Sequence, residues 1–339
     1  MGVDTPAGEV RLLSMASSRI AVVVPAYESE TFIAETLRSV LAQTRAPDEV
    51  VVVDDASTDR TAEIAAAVDS SIRVIRLEEN RGGGNARNVG AAATVSDHLA
   101  FMDADDLWDP AHLSNLEPVL EDFPEAVVAF SLGQQFGKTH WTQEARLPPG
   151  RPVDAFWECT RENVVFPPAA LVRRSAFEAV GGFHPELPCC QDFEFFRRLS
   201  TQGPFVSVPE ITLWYRKHGA QITRSVIRNR TVQYDIRRAW FEEARATASP
   251  EELARHVEVL RDAWTSHLDI AWHKRDWKLF RHYLRLGRWI PGSSAIYARW
   301  LPRALAIPVV PALDRLRGLA PPQADPPEGL HPPSFSQEG

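Results

Sequence analysis

Four short runs of strand-like character, the first two of them β-branched, separated by stretches long enough for helices, narrow what this chain can become. Ile20 to Val24 ends at Pro25, and Glu49 to Val53 ends at Asp54 and Asp55. Ile72 to Ile75 and Leu99 to Met102 follow. Such runs, bounded by turn residues, read as buried strands. Between the first two, Ile33, Leu37, Val40 and Leu41 recur at helical spacing, with Ser29 placed to cap the start. Ser57, Thr58 and Asp59 can cap a second helix through Ala67, and a third is expected from about Asn85 to Ala93. Strands that alternate with helices imply an α/β fold: a mainly parallel central sheet with helices on its faces.

In sheets of this kind ligands bind outside the carboxyl ends of the strands. Pro25–Tyr27, Asp54–Asp59 and Asp103–Asp106 each follow directly on a strand, so three separate stretches should meet at one rim. Asp103, Asp105 and Asp106 place three carboxylates within four residues, which repel unless a cation or a set of donors compensates. Hard oxygen ligands suit Mg²⁺ or Mn²⁺, and Mg²⁺ commonly binds through one or two carboxylates plus substrate phosphates. A solvated acidic turn, or a cap for the helix after Pro110, is the plainer alternative. Arg81-Gly82-Gly83-Gly84-Asn85 contains neither GxGxxG nor GxxxxGK, so a dinucleotide or phosphate loop is not indicated. Its glycines let backbone approach a ligand closely.

After about Ala126 the pattern loosens and prolines gather at Pro148, Pro149, Pro152, Pro167 and Pro168, which reads as loops and short elements on an acceptor side. From Ile227 to Leu286 it is helical, with Trp240, Trp264, Trp272 and Trp277 spaced along it. The resulting organisation is a flexible leader over 1–18, an α/β domain over 19–226, a helical basic region over 227–318 and a disordered tail over 319–339. With 339 residues, 44% of them apolar, the chain can bury a sizeable core. Cys159, Cys189 and Cys190 offer no CxxC spacing, and Met1 to Ser18 has neither an apolar h-region nor a basic start. The expected location is therefore the reducing cytoplasm, either free or peripheral on the inner face of the plasma membrane.

A net charge of −8 argues against nucleic acid as a partner, yet between Ala271 and Gly318 about ten Lys/Arg face two acids. Lys274, Arg275, Lys278, Arg281, Arg285 and Arg288 interleave there with Trp272, Trp277, Phe280, Tyr283, Leu284 and Trp289. One reading is a helix that packs its aromatics on the rest of the protein and leaves its arginines in water. The other is peripheral contact with an anionic membrane, to which the proline-broken apolar segments of Leu301–Leu316 would add.

Taken in order, five motifs resemble the inverting glycosyltransferases of family 2, which have a GT-A fold. They are Val22-Val23-Val24-Pro25-Ala26-Tyr27, Thr36 to Thr44, Glu49 to Asp59, Asn80-Arg81-Gly82 with Ala86-Arg87-Asn88-Val89-Gly90, and Phe101 to Asp106. The resemblance spans about Arg19 to Ser225. It implies a metal-dependent transferase that moves a sugar from a nucleotide-diphosphate donor, a UDP-sugar by preference, to a hydroxyl of a glycan or lipid-linked acceptor. In the family the acid after the second strand contacts the nucleobase, which here matches Asp55; a carboxylate can accept the imide N–H of uracil. Capping the next helix is the alternative role for Asp55. The donor set implied by position is Pro25, Ala26, Tyr27, Glu28, Asp55, Arg81, Arg87, Asn88, Asp103, Ala104, Asp105 and Lys217. Arg87 fits equally well as a brace for neighbouring carboxylates. The metal set is Asp105, Asp106 and His218, with the choice among Asp103, Asp105 and Asp106 for direct ligation left open.

Inversion needs a base that deprotonates the acceptor hydroxyl. In the family an acid pair after a Gly-Gly-Phe turn supplies it; here Gly181-Gly182-Phe183 is followed by Gln191-Asp192, so Asp192 is the expected catalytic residue. Gln191 departs from the Glu common there, and Glu194 is the neighbouring alternative. Tyr215-Arg216-Lys217-His218, with Gln221 and Thr223 beyond, resembles the late basic segment in which His completes the metal shell. Two other classes compete. A sugar nucleotidyltransferase would want a Gly-rich basic signature where Pro25-Ala26-Tyr27-Glu28 stands, and a degenerate, partner-binding transferase would have no reason to retain Asp103, Asp105, Asp106, Asp192 and His218 together.

Overall fold

The computed structural model describes residues 18–137, 141–218, 226–287, 290–294, 296 and 298–300. Residues 1–17 of the expected leader, Gln221, Thr223, Arg288, Trp289, Leu301–Leu316 and the tail lie outside the described residues.

The alternation of the first hundred residues gives β1 (Ile20–Ala26), α1 (Ile33–Leu41), β2 (Glu49–Asp54), α2 (Thr61–Val68), β3 (Ile72–Arg76), α3 (Gly83–Ala92) and β4 (His98–Phe101). β1 pairs in parallel with β2 on one side and β4 on the other, and β3 extends the sheet beyond β2. Strands 1 and 4 are buried on both faces, which is why they read as unbroken apolar runs. Helix α3 lies against the sheet through Gly90: a Cβ there would meet Val23 Cγ1 at 2.3 Å, so only glycine permits this approach. Ser29 holds the start of α1 with its backbone carbonyl, which accepts from Phe32 and Ile33, while its hydroxyl turns to Tyr27 O.

The second half departs from the expectation of loops. β5 (Leu107–Trp108) and α4 (His112–Asp122) lead into β6 (Val128–Gly137), a strand of 10 residues. After β7 (Trp141–Thr142), α5 (Phe156–Arg161), β8 (Ala170–Arg173), α6 (Arg174–Ala179) and α7 (Gln191–Leu199) comes β9 (Phe205–Lys217), of 13 residues. The sheet runs β3-β2-β1-β4-β8-β6-β9-β5, with β7 on β6. β8 is antiparallel to β4 and β6, whereas β9 is parallel to β6, so the sheet is mixed but mainly parallel. β6 hid from pattern reading because both of its faces are covered, Gln134 included, so it carries no polar alternation. Pro209 masked β9 in the same way; it sits where the register with β6 shifts, and there a missing N–H is tolerated.

Two apolar layers sandwich the sheet, one beneath α1, α2 and α4, the other built on Phe101, Phe130, Phe177, Phe183, Phe195 and Phe205. The helical pattern after Ile227 resolves into α8 (Val226–Thr247), α9 (Pro250–His273) and α10 (Trp277–Leu286). A Ser249/Glu252 capping box starts α9, and Asp276 accepts from Leu279 N at the start of α10. These helices share a core of Tyr234, Trp264, Leu268, Phe280 and Tyr283, with Trp272 and Trp277 packed on it. Phe280 and Tyr283 therefore point inward with Trp272 and Trp277 packed against them, and Lys278, Arg281 and Arg285 are exposed. Helix α8 also docks on the α/β body, where Ile236 and Trp240 meet Phe193 of α7. No helix among the described residues is long and apolar enough to cross a membrane.

Candidate functional site

Because β2, β1 and β4 are neighbours in the sheet, their carboxyl ends open side by side. A cleft of about 1060 Å³ lies over them. Its walls include Pro25 and Ala26 at the end of β1, Tyr27 and Glu28 after it, Asp55 after β2, Arg81 and Arg87 around the start of α3, and Asp103, Ala104, Asp105 and Asp106 after β4. Asp192 and His218 arrive from α7 and the end of β9. The fifteen expected positions come from seven separate stretches, and the fold gathers thirteen of them here. Asn88 and Lys217 are not on the wall. Asn88 spends its amide on the Gly-Gly-Phe turn, donating to Phe183 O at 2.8 Å and accepting from Phe183 N at 2.9 Å. The Lys217 ammonium lies 6.0 Å over the ring of Tyr215.

The strand-end loops are tied to one another. Glu28 Oε1 accepts from the backbone and hydroxyl of Thr58 at 2.8 and 2.9 Å, and Ser57 Oγ accepts from Glu28 N at 3.0 Å. Asp55 is nearly fully buried, and its two oxygens accept from Arg81 N and Gly82 N at 2.9 and 2.7 Å. Its carboxylate thus holds the glycine loop as well as lining the cleft, with lone pairs still available. Asp59, not Asp55, serves the start of α2, accepting from Thr61 N at 2.9 Å. Gly84 faces the Gln191 amide so closely that a Cβ would stand 2.8 Å from its Cδ, which joins the loop to the start of α7.

Of the three clustered acids, Asp103 is paired with Arg87, so Arg87 is a brace for the carboxylates. Asp105 Oδ2 is 2.8 Å from His218 Nε2, and the His218 ring packs on Phe32 at 4.6 Å. Asp106 is fully buried; one oxygen accepts from Arg216 N at 2.8 Å and the other, Oδ2, is buried without a partner. Burial first, and then the neighbouring charges of Asp105 and Asp103, push the Asp106 carboxyl well above the usual carboxylate range. Burial raises Asp103 as well, against the opposing pull of Arg87.

An orphaned buried carboxylate oxygen among repelling acids is costly unless a cation completes it. The donor set of Asp105 and Asp106 oxygens with one imidazole nitrogen suits Mg²⁺ or Mn²⁺. Among the described residues, no three or more His, Cys, Asp or Glu form a ready metal cage. The arrangement is an open edge that fits an ion sharing its shell with phosphate oxygens.

Arg216, to which the sequence assigns no role of its own, organises this edge. Besides its backbone bond to Asp106, it donates from Nε to Asp105 O at 2.7 Å and from Nη2 to Glu35 Oε2 at 2.7 Å. Its position two residues before His218 was the available signal, since a strand's period of two sends both toward the same side. Buried Thr36 has its hydroxyl 3.0 and 2.9 Å from the carbonyls of Ala104 and Asp106. Glu194, the alternative base, is turned away and accepts two hydrogen bonds from Arg198 at 2.5 and 2.6 Å. Arg198 in turn donates to Gly182 O at 2.8 Å, bracing the Gly-Gly-Phe turn.

Comparison with known proteins places this cleft in context. Residues 21–181 match the model of "Glycosyl transferase family 2", and residues 162–286 that of "Glycosyltransferase like family 2". The chain is 42% identical over 98 residues to the succinoglycan biosynthesis protein ExoO of Rhizobium meliloti, covering 29% of this chain and 28% of that one. It is 27% identical over 215 residues to an uncharacterized glycosyltransferase of Haemophilus influenzae, covering 60% and 66%. The chain thus spans less than two thirds of the length of either of these relatives. In architecture it resembles S. aureus TarS in complex with UDP-GlcNAc, with a TM-score of 0.63 at 20% identity over 78% of this chain and 79% of that one. It also resembles the mannosyltransferase PcManGT of Pyrobaculum calidifontis in complex with GDP-Man and Mn²⁺, with a TM-score of 0.53 at 20% identity over 89% and 88%. These structures share its GT-A architecture. With two overlapping family models running across both the strand-end motifs and the Gly-Gly-Phe and basic segments, the chain belongs to glycosyltransferase family 2.

Proposed function

We propose that this chain is an inverting, metal-dependent glycosyltransferase that moves a sugar from a nucleotide-diphosphate donor, a UDP-sugar by preference, to a hydroxyl of a glycan or lipid-linked acceptor. The observation that carries the reading is the meeting, in one cleft, of the Asp55 loop, the Asp103–Asp106 edge and Asp192. The donor base belongs beside Asp55 and Tyr27, and the diphosphate beside Arg81 and the acidic edge. Asp105, Asp106 and His218 would hold Mg²⁺ or Mn²⁺, which when bound supplies positive charge against the leaving diphosphate. Arg87 and Arg216 keep the acids in place before the donor arrives. Asp192, which lines the same cleft, takes the proton of the acceptor hydroxyl. Polysaccharide biosynthesis is the setting that the ExoO likeness supports. For a lipid-linked acceptor, the exposed Lys278, Arg281 and Arg285 are where contact with an anionic membrane belongs.

The test is a thermal-shift series with UDP, GDP, dTDP and CMP, with and without Mn²⁺, on the wild-type chain and on Asp192→Asn. One nucleoside diphosphate should raise the melting temperature only when Mn²⁺ is present, because selective binding to the folded state stabilises it. Asp192→Asn should keep that shift and lose sugar transfer. No shift with any nucleotide would return weight to a degenerate, partner-binding transferase, and equal loss of donor binding in the variant would overturn the base assignment.

A further inference from the structure

We propose that Asn163 is a positioning residue for Asp192: its amide fixes the carboxylate that receives the acceptor's proton. The inference rests on the assignment of Asp192 as the base. Asn163 follows α5 in an irregular stretch where no motif was recognised, and its Nδ2 donates to Asp192 Oδ2. Both residues line the cleft.

Packing alone does not account for an amide at 163. Its Oδ1 is buried with no hydrogen-bond partner, and an unmade bond of that kind costs stability. A leucine of similar shape would leave no orphan. Turning the amide over would set Oδ1 against a carboxylate oxygen and put the NH₂ group in the same unpartnered place, so the orientation is determined. What remains to explain the residue is the bond to Asp192.

The chemistry of that bond suits a base. Among the described residues Asp192 makes no ion pair, in contrast to Asp103 with Arg87 and Glu194 with Arg198. A cation there would neutralise the group that must accept a proton. An amide N–H holds one oxygen and one rotamer while leaving the carboxylate its charge, so the other oxygen is presented in a fixed direction.

Two further contacts hold Asn163 in place. Arg237 of α8, almost fully buried, donates from Nε to Thr160 O at 3.1 Å and from Nη2 to Arg161 O, capping the carbonyls at the end of α5. The same guanidinium lies 4.4 Å over the ring of Phe193, the residue after Asp192. On the other side, Gln143 Nε2 donates to Val164 O at 3.2 Å. Helix α8 thereby secures both partners of the Asn163–Asp192 pair, which makes the helical region part of the working site.

The experiment compares full-length wild type, Asn163→Leu, Asn163→Asp and Asp192→Asn in nucleotide release with Mn²⁺. The donor is whichever of UDP-GlcNAc, UDP-glucose, UDP-galactose and GDP-mannose the wild type turns over fastest. Both Asn163 variants should lose about tenfold or more in kcat with donor KM within about twofold of wild type, the pattern of a group that acts in the transition state. Their melting temperatures, and the shift produced by the matching nucleoside diphosphate, should stay near wild type, as a role confined to folding or donor binding would not allow. Wild-type kcat in both Asn163 variants, with Asp192→Asn inactive, would overturn this inference alone. A donor KM that rises in step with the fall in kcat would also overturn it, by assigning Asn163 to the donor site. An active Asp192→Asn would overturn the base assignment and the positioning role together, and no turnover by wild type would overturn both along with the transferase reading.

Discussion

Replacing Gly90 with alanine sets helix propensity against packing, and the two predict opposite signs. Propensity alone favours alanine over glycine in a helix interior by about 1 kcal/mol. The new Cβ, however, would stand 2.3 Å from Val23 Cγ1 and 3.2 Å from Val53 Cγ2. Carbon atoms rest at about 3.5–4.0 Å, so α3 would have to retreat by more than about 1 Å. β1 cannot yield instead, because it is bonded to β2 and β4 and Val23 is fully buried. Overpacking of this kind costs about 1–3 kcal/mol, and the tight end applies here, so Gly90→Ala should destabilise by about 1–2 kcal/mol net. Arg87 sits three residues earlier on the same helix, so the retreat should also pull it from Asp103 and weaken the Mn²⁺-dependent shift with nucleotide. Urea denaturation followed by circular dichroism measures the first effect. Val23→Ala in the Gly90→Ala background should recover about 1 kcal/mol relative to the sum of the single changes. A higher urea midpoint for Gly90→Ala than for wild type would refute the packing argument outright.

Two more perturbations follow from buried ionisable groups. Burial lowers His98 to about 4, and His112 and His267 to about 3 each, Arg173 adding to the effect at His98 and Arg230 and Arg237 at His267. Since the unfolded chain binds these protons first, near pH 6.5, stability is intact above that pH and falls as pH drops toward the folded values, by about 1.4 kcal/mol per unit per histidine. His112→Gln should flatten the slope of urea stability between pH 6.5 and 4 by about that amount, and an unchanged slope would sink the assignment. Glu194→Gln leaves Arg198 without its charge partner at side-chain exposures of 10% and 26%. It should cost about 2–4 kcal/mol by urea denaturation, discounted for the partial exposure of Arg198, and an unchanged midpoint would show that Glu194 does not brace the Gly-Gly-Phe turn.

Much of the site was legible before any coordinates because a parallel α/β sheet turns a local pattern into a spatial one. Once Ile20–Val24, Glu49–Val53 and Leu99–Met102 are strands of such a sheet, the residues just after them must meet, and they do. The acidic edge and Asp192 were visible for the same reason, as short motifs at strand and helix ends. Side-chain partners were not legible, since they depend on what lies across the cleft. Asn88 has the spacing of a donor contact but is used by Phe183, and Arg216 looked like one cation among several yet bonds to both Asp105 and Asp106.

The sequence by itself determined the order of strands and helices through residue 101, the rim on which the chemistry sits, and the family, because hydrophobic period and turn chemistry are local. Only the tertiary structure decided that β6 and β9 complete the sheet, that Phe280 and Tyr283 of the basic segment face inward, and that Asn163 bonds to Asp192 while Arg237, 74 positions further on, holds the end of the helix before Asn163. Those outcomes depend on burial and on hydrogen bonds between distant segments, which exist only once the chain has closed on itself.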